Sequence, residues 1–353
     1  MHSTKLFQPL RPPATTSATC RGVAFASPHL FPESHRNFYG GGGNSYCLLG
    51  SRKRARTTNY NNKNRNHCYM DSNGLDSDGR EFRNAEEMWR EEVGEEGSKS
   101  QWYGTAIRYW EKVDATVDGV LGGYGHVNDA DVAASDAFLT SILAERFPAQ
   151  RDAPTAARPS RHLVALDCGS GIGRVTKNLL LRHFNEVDLL EPVPHFLEAA
   201  RVNLAPENLT VPEMHRAANF YCVPLQDFTP DARRYDVIWV QWCIGHLADD
   251  DFISFFKRAK IGLKPGGFFV LKENIARTGF VLDKEDKSVT RSDQYFKDLF
   301  NQCGLYIYTM KDQKGFPDEL FAVKMYALTT EMPRRPTAKS KSKRLSNRPA
   351  IIK

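Results

Sequence analysis

From residue 162 to residue 328, short apolar runs of strand length alternate with longer amphipathic stretches, and this alternation constrains the fold more than any other feature. Strands are predicted at 163 to 168, 187 to 190, 219 to 223, 235 to 240 and 267 to 272. The helices between them fall at 175 to 183, 194 to 204, 249 to 262 and 291 to 303. Two last strands, 305 to 310 and 320 to 328, lie close enough in sequence to pair antiparallel at an edge. Such a pattern predicts an α/β fold: a mostly parallel sheet with helices on both faces.

Ahead of the sheet, 85 to 92, 102 to 113 and 129 to 146 read as helices, the second with Trp102, Ile107 and Trp110 on its apolar face. The stretch from Val117 to His126 carries Gly119, Gly122, Gly123 and Gly125, which read as tight turns or a short β-hairpin. The two ends differ in kind. Residues 1 to 98 are rich in Ser, Thr, Asn, Arg and Gly, and 330 to 353 form a basic tail with Lys339, Lys341, Lys343 and Arg344. Neither composition can bury enough apolar surface to offset its ordering entropy, so both are expected to be disordered or targeting extensions around one domain spanning 99 to 329.

The net charge of +6 is concentrated in those ends. It reads as a solvated tail or as a nuclear-localisation or polyanion patch, and it is no argument for direct nucleic-acid binding by the domain. The seven cysteines show no paired metal-ligand spacing, so reduced thiols and no metal site are expected. No run approaches the roughly 18 apolar residues of a membrane span, so no membrane partner is expected. Glu33 is the one acidic residue before Asp71. Residues 1 to 69 therefore read as a plastid or mitochondrial transit peptide, or as a segment bypassed when translation starts at Met70. In the second case the cytoplasm and nucleus are the expected compartments.

At the first strand-to-helix junction stands Leu166-Asp167-Cys168-Gly169-Ser170-Gly171-Ile172-Gly173-Arg174. Glycines there let backbone amides approach a ligand closely. Pyrophosphate-binding dinucleotide loops space them G-x-G-x-x-G, whereas here the spacing is G-x-G-x-G with an acid just upstream, as in methyltransferases that use S-adenosyl-L-methionine. That cofactor carries no phosphate; its amino-acid end calls for backbone contacts and a basic partner such as Arg174. Glu191 ends the second strand, about 20 residues on, where a carboxylate can accept both ribose hydroxyls. Leu225 and Gln226 follow the third strand, and Gln241 and Trp242 the fourth.

Over about Tyr103 to Leu328 the chain resembles the α-N-terminal protein methyltransferases that modify proteins beginning Xaa-Pro-Lys. The likeness rests on Tyr109-Trp110, the Thr116 to His126 segment, Leu166 to Arg174, Leu225-Gln226-Asp227-Phe228-Thr229-Pro230, the run from Asp236 to Leu247 and Lys272-Glu273-Asn274. It implies a Rossmann-like, seven-stranded methyltransferase sheet. It also implies cofactor contacts from Gly169, Arg174, Glu191, Leu225, Gln226 and Gln241, with Pro192 and Val193 nearby, and a peptide channel. Trp110, Trp242, Asn274, Asp283, Asp286, Ser288 and Leu320 fall on positions that line that channel or act in proton transfer.

Those residue types suit the chemistry. An α-amine has a pKa of about 7.7 to 8.0 against about 10.4 for lysine, so a modest base suffices to free its lone pair. Asp286 and His246 are candidates for taking or relaying the proton, Asn274 for holding the first peptide carbonyl, and Asp283 for pairing with a third-position lysine. Trp110 and Trp242 would give a dry wall, and Leu121 with Leu320 would pack the second-position proline. Ribosomal or chromatin-associated proteins are the substrate type the resemblance implies. Each residue also has a plain structural alternative: His246 as a cap or core histidine, Trp242 as core, Asp283 and Asp286 as loop carboxylates. Glu191 stands where relatives often carry Asp, Phe321 where they can carry Tyr, and Pro192-Val193 replaces a more polar pair.

Three other readings compete. A nucleotide-dependent oxidoreductase is disfavoured by the glycine spacing. A nucleic-acid methyltransferase lacks an Asn/Asp-Pro-Pro-aromatic motif or a Pro-Cys nucleophile here. A non-catalytic binding module is the third.

Overall fold

The computed structural model describes residues 72–94, 99–147, 161–210 and 214–332. A seven-stranded sheet forms its centre, in the order β10-β11-β7-β6-β3-β4-β5. Five of its strands run parallel: β3 (Val164–Cys168), β4 (Glu186–Leu190), β5 (Arg216–Tyr221), β6 (Tyr235–Gln241) and β7 (Leu263–Ile275). The antiparallel pair β10 (Tyr306–Asp312) and β11 (Ala322–Thr329) closes one edge, as expected. Every residue of β3 and β6 is buried, which is why these strands read as near-continuous apolar runs and not as alternating ones.

Helices cover both faces. Against one lie α4 (Asn128–Arg146), a π-helical turn (Thr176–Leu180) that runs into α5 (Leu181–His183), and α6 (Pro194–Asn203), with Phe138, Leu139, Leu180, Leu197 and Trp239 in one apolar cluster. The other face holds α7 (Asp249–Gly262) and α8 (Asp293–Cys303), where Phe252, Phe256, Phe296 and Phe300 pack with Phe269 and Tyr326. Local chemistry sets the ends of these helices. Pro194 opens α6 at a position whose N–H would have no partner in any case, Ser292 caps α8 by accepting from the Tyr295 amide, and Gly304 closes it in the left-handed conformation.

Three expectations need correcting. The extension expected over 1 to 98 is folded from its eighth decade on: β1 (Gly74–Asp76), β2 (Glu81–Phe82) and α1 (Ala85–Val93) dock on the domain, burying Phe82, Ala85 and Met88 in its core. The apolar positions are only a few, but they meet an existing core, which a short isolated segment lacks. No hairpin forms between Val117 and His126; the helical turn α3 (Val117–Val120) and a 3-10 turn (Gly125–Val127) realise the tight-turn alternative, with the Thr116 side chain capping at Gly119. A hairpin stands elsewhere, where the sequence reading placed none: β8 (Phe280–Asp283) and β9 (Ser288–Arg291), joined with the first two strands in a four-stranded sheet β2-β1-β8-β9. The helix α2 (Ser100–Trp110) lies between α1 and α3. Residues 1–71 and 333–353, which include Met70 and the basic tail, lie outside the described residues.

Candidate active site

The strand order reverses at β3, whose neighbours are β4 and β6, and in open α/β sheets ligands bind outside the carboxyl ends at such a point. A cavity lies there, about 1030 Å³ when its solvent-open mouth is included. All eight expected cofactor residues, Gly169, Arg174, Glu191, Pro192, Val193, Leu225, Gln226 and Gln241, line it, together with Trp110, Leu121, Trp242 and His246. The sheet thus brings together residues from the ends of four different strands. Tyr103, Ala106 and Ile107 of α2 form a roof that the sequence reading left out.

Glu191 directly follows β4, with its carboxylate at the glycine loop. It accepts from the Gly171 amide at 2.8 Å and from the Val193 amide at 3.0 Å. Burial raises its pKa to about 7 in spite of those two donors, and burial likewise raises Asp167, just before the loop, to about 6. Gly169 has φ +63, and a Cβ on it would come within 2.3 Å of the Cys243 Cβ, so only glycine fits this approach of loop to loop. A Cβ on Gly171 would touch Val120 alone and otherwise project into the cavity.

At the other end, Arg174 is buried, and its Nη1 donates to Asp131 Oδ2 at 2.7 Å and to Asn128 Oδ1 at 3.1 Å. Asp131 also meets Lys272 Nζ at 2.5 Å and accepts from Gln241 Nε2 at 3.0 Å, while Gln313 and Ser135 take two further Lys272 bonds. One carboxylate therefore faces two cations. Burial, followed by the attraction of Asp131 in the opposite sense, leaves the Lys272 ammonium below its ordinary pKa, whereas for Asp131 the two cations outweigh burial and hold its pKa low. The surplus positive charge beside the cavity suits an anionic group. Ser170 Oγ, buried in the cavity wall, has no hydrogen-bond partner among the described residues. These groups fit adenosylmethionine: Arg174 would suit its carboxylate, Glu191 would accept from its ribose hydroxyls, and Leu225 and Gln226 would flank its adenine. The carbonyls of those last two accept from the Arg258 guanidinium of α7, at 3.3 and 2.6 Å, which anchors their loop.

The second half of the site grows from the segment after β6. Trp242 has φ +52, rare for a side-chain-bearing residue and held here by its amide's 3.1 Å bond to the Lys272 carbonyl. Its ring lies 5.6 Å from the Arg174 guanidinium and packs with Leu121, Leu320, Val120, Tyr124 and Phe316. The pairing of Leu121 with Leu320 is thus present, and Tyr124 and Phe316 are additions to it. Glu273 Oε1 accepts from the amides of Cys243 and Ile244, capping the turn that presents His246.

His246 donates from Nδ1 to the Lys287 carbonyl at 3.0 Å, and its Nε2 accepts from Trp110 Nε1 at 3.2 Å. Both bonds suit the neutral ring with the proton on Nδ1. Burial lowers its pKa below the ordinary imidazole value, against an opposing pull from the Lys287 carbonyl and Asp283.

Asn274, Asp283, Asp286, Ser288 and Leu320 do not line the cavity itself. They stand next to it. Asn274, one residue before the end of β7, stands opposite Val323, and Asp283 and Ser288 face each other across the last rung of the β8/β9 hairpin. The turn between them holds Asp286, which is 3% exposed, and a Cβ on Gly245 would lie 3.6 Å from the Ser288 Cβ. Asp283 also accepts from the Glu285 amide at 2.9 Å, so it shapes the turn as well. Asp131 is a functional residue that no motif in the sequence marks. Its signal was an acid set among the inward residues of α4, a place that demands a buried partner.

No group of His, Cys, Asp or Glu among the described residues could hold a metal ion, and no described helix is long and apolar enough to cross a membrane. The sheet order, the glycine loop and the acid at the end of β4 define an adenosylmethionine-dependent methyltransferase. The chain belongs to the family of AdoMet-dependent proline di-methyltransferases, whose model matches residues 98–329. It is 64% identical over 286 residues to an α-N-terminal protein methyltransferase 1 from Arabidopsis thaliana, covering 80% of this chain and all of that one. To the N-terminal Xaa-Pro-Lys N-methyltransferase 1-B of Xenopus laevis it is 40% identical over 230 residues, covering 65% of this chain and 96% of the relative. A solved SAM-dependent methyltransferase from Leishmania major superposes with a TM-score of 0.63 at 38% identity, over 74% of this chain and 97% of the other.

Proposed function

We propose that the protein transfers methyl groups from S-adenosyl-L-methionine to the free α-amino group of protein chains beginning Xaa-Pro-Lys, giving mono-, di- or trimethylated N-termini. The observation that carries the reading is the continuity of two surfaces. Trp242 and Leu121 line the cofactor cavity and belong also to the apolar cluster with Leu320, while His246 lines the same cavity and bonds to the hairpin that holds Asp286. A ligand with a charged amine, a small apolar ring and a cation in succession matches amine-facing polar groups, an apolar wall and a carboxylate. The names of the Arabidopsis and Xenopus relatives support the same reading.

Bound adenosylmethionine supplies a methyl group on a positively charged sulfur, open to displacement by an amine lone pair. The chain's own part is to hold, dry and deprotonate. Glu191 would accept from the ribose hydroxyls, and Arg174, held in place by Asp131, would pair with the carboxylate. Asn274 holds the first peptide carbonyl, and Trp110 and Trp242 exclude water, so the nitrogen is presented in line. Leu121 and Leu320 pack the proline, Asp283 pairs with the third-position lysine, and Ser288 adds a hydroxyl at the hairpin.

Asp286 takes the ammonium proton, with His246 as relay. The Trp110 N–H occupies the His246 Nε2 lone pair, so this ring accepts a proton only when the indole shifts; Asp286 is therefore the primary base. The substrates are proteins, of ribosomal or chromatin-associated type, and not membranes or nucleic acid, and the chain works in the cytoplasm and nucleus when translation begins at Met70. Incubating the full chain with labelled cofactor and peptides beginning Ser-Pro-Lys or Ser-Ala-Lys, free or N-acetylated, tests the reading by mass. Methylation of the free Ser-Pro-Lys peptide alone is expected. Equal labelling of acetylated peptides would refute it.

A further inference from the structure

The segment from Gly74 to Val93 precedes residues 98–329, yet it is built onto the hairpin that carries Asp283 and Asp286. Strand β1 runs parallel to β8 in the register Gly74 to Phe280, Leu75 to Val281 and Asp76 to Leu282, and the Ser77 amide donates to the Leu282 carbonyl at 2.8 Å. The backbones are in close contact: a Cβ on Gly279 would fall 1.6 Å from the Asn73 carbonyl oxygen.

Three ion pairs then tie the hairpin turn to this segment, the longest of them between Lys284 Nζ and the buried Asp76 Oδ2 at 3.7 Å. Lys287 Nζ meets Glu92 Oε2 of α1 at 2.7 Å, with both side chains about one-fifth exposed or less (21% and 16%), and Lys284 Nζ meets Asp78 Oδ2 at 2.9 Å in a more open setting. Lys287 Nζ also sits 5.6 Å over the Trp102 ring, and the Trp102 indole donates to the His246 carbonyl at 2.7 Å. The lysines stand on either side of Asp286. Lys287 has φ +55, a conformation that persists in a side-chain-bearing residue only where its surroundings impose it, and its carbonyl is the acceptor that orients the His246 ring.

We propose that Gly74–Val93 is a positioning element of the peptide site, in which Glu92 and Asp78 clamp Lys287 and Lys284 around Asp286 and so set the carbonyl that aims His246. The proposal rests on the reading of Asp286 and His246 given above. The clamp has an electrostatic side as well. A lysine released from Glu92 would place a loose cation beside the two carboxylates that meet the substrate's amine and lysine, and would compete with both. The chain therefore recognises its peptide with residues from two separate stretches of sequence.

The full chain carrying Glu92→Gln tests this against the free Ser-Pro-Lys peptide, with cofactor affinity measured in parallel. The peptide KM is expected to rise about five-fold, the size of one partly buried ion pair, with the cofactor dissociation constant unmoved. The exchange Glu92→Lys with Lys287→Glu restores the KM. Asp78→Asn, at a more exposed pair and with Asp76 still 3.7 Å from Lys284, gives at most about a two-fold rise. An unchanged KM in Glu92→Gln, or a parallel loss of peptide and cofactor binding, would overturn the clamp. If Asp286→Asn keeps full turnover, the reading beneath the proposal fails, and the clamp with it; if that variant is dead while Glu92→Gln is normal, the clamp alone fails.

Discussion

The Asp131 carboxylate bonds the Arg174 guanidinium at 2.7 Å inside the wall of the cofactor cavity, and both side chains are almost fully buried. Asp131 comes from a helix far from the glycine loop in sequence, and it also holds Gln241 and Lys272. A single acid thus orients two cofactor-facing residues while offsetting two buried cations.

Asp131→Asn preserves the shape and removes the charge. Two cations then remain buried without an anion, and breaking such a pair from one side costs about 3 to 5 kcal/mol. Chemical denaturation should show a loss of that order, and calorimetry a weakened cofactor affinity. A variant as stable as the parent would mean that the network is not the main support of α4 against the sheet.

Cofactor binding should depend on pH through Glu191. In the free protein its carboxyl, raised to about 7 by burial, is partly protonated at neutral pH. Ribose hydroxyls donate to the ionised form and favour it, so affinity weakens as pH falls below about 7, by at most about tenfold per unit, and binding near neutrality releases a proton. Titration calorimetry in buffers of different ionisation enthalpy reads that proton directly. Glu191→Gln should bind more weakly, by about 1.5 to 3 kcal/mol, with the pH slope removed. For stability the sign is opposite. Glu191 and Glu273, both raised to about 7, keep their protons longer folded than unfolded, so their contribution is full below about 4.3 and is lost as pH rises through 7.

Asp286→Asn should lower kcat about 10²- to 10⁴-fold while cofactor affinity holds, the range for removing a positioned base. His246 adds an acid limb to the rate profile. Because burial lowers its pKa, that limb should lie below about 6.5, the ordinary imidazole value, and it should disappear in His246→Gln. A limb above that value would contradict the assignment.

Leu320→Ala opens the apolar wall shared with Leu121 and Trp242. Preference for Ser-Pro-Lys over Ser-Ala-Lys should fall about tenfold, since loss of pocket contacts of this size is worth about 1 to 3 kcal/mol in discrimination. Parallel kcat/KM values for the two peptides give the ratio. An unchanged ratio would place the proline elsewhere.

What the sequence by itself determined is local or periodic. Full burial of β3 and β6 makes their apolar runs unbroken, and the glycine loop must follow a strand to work, so the sheet, its edge pair and the loop were legible. The acids and amides at strand ends were legible for the same reason, since topology sends every parallel strand's carboxyl end to one side. Tertiary structure alone decided the rest. Phe280–Asp283 and Ser288–Arg291 are four residues each, too short to announce a hairpin, and they exist as strands because β1 supplies a partner over Gly74–Asp76. Asp131 gains meaning only when α4 crosses the ends of β6 and β7, and α1 reads as polar until Ala85 and Met88 meet the core. Pairing across long sequence separations carries no local signature, because its free energy comes from surfaces that meet only after the chain has folded.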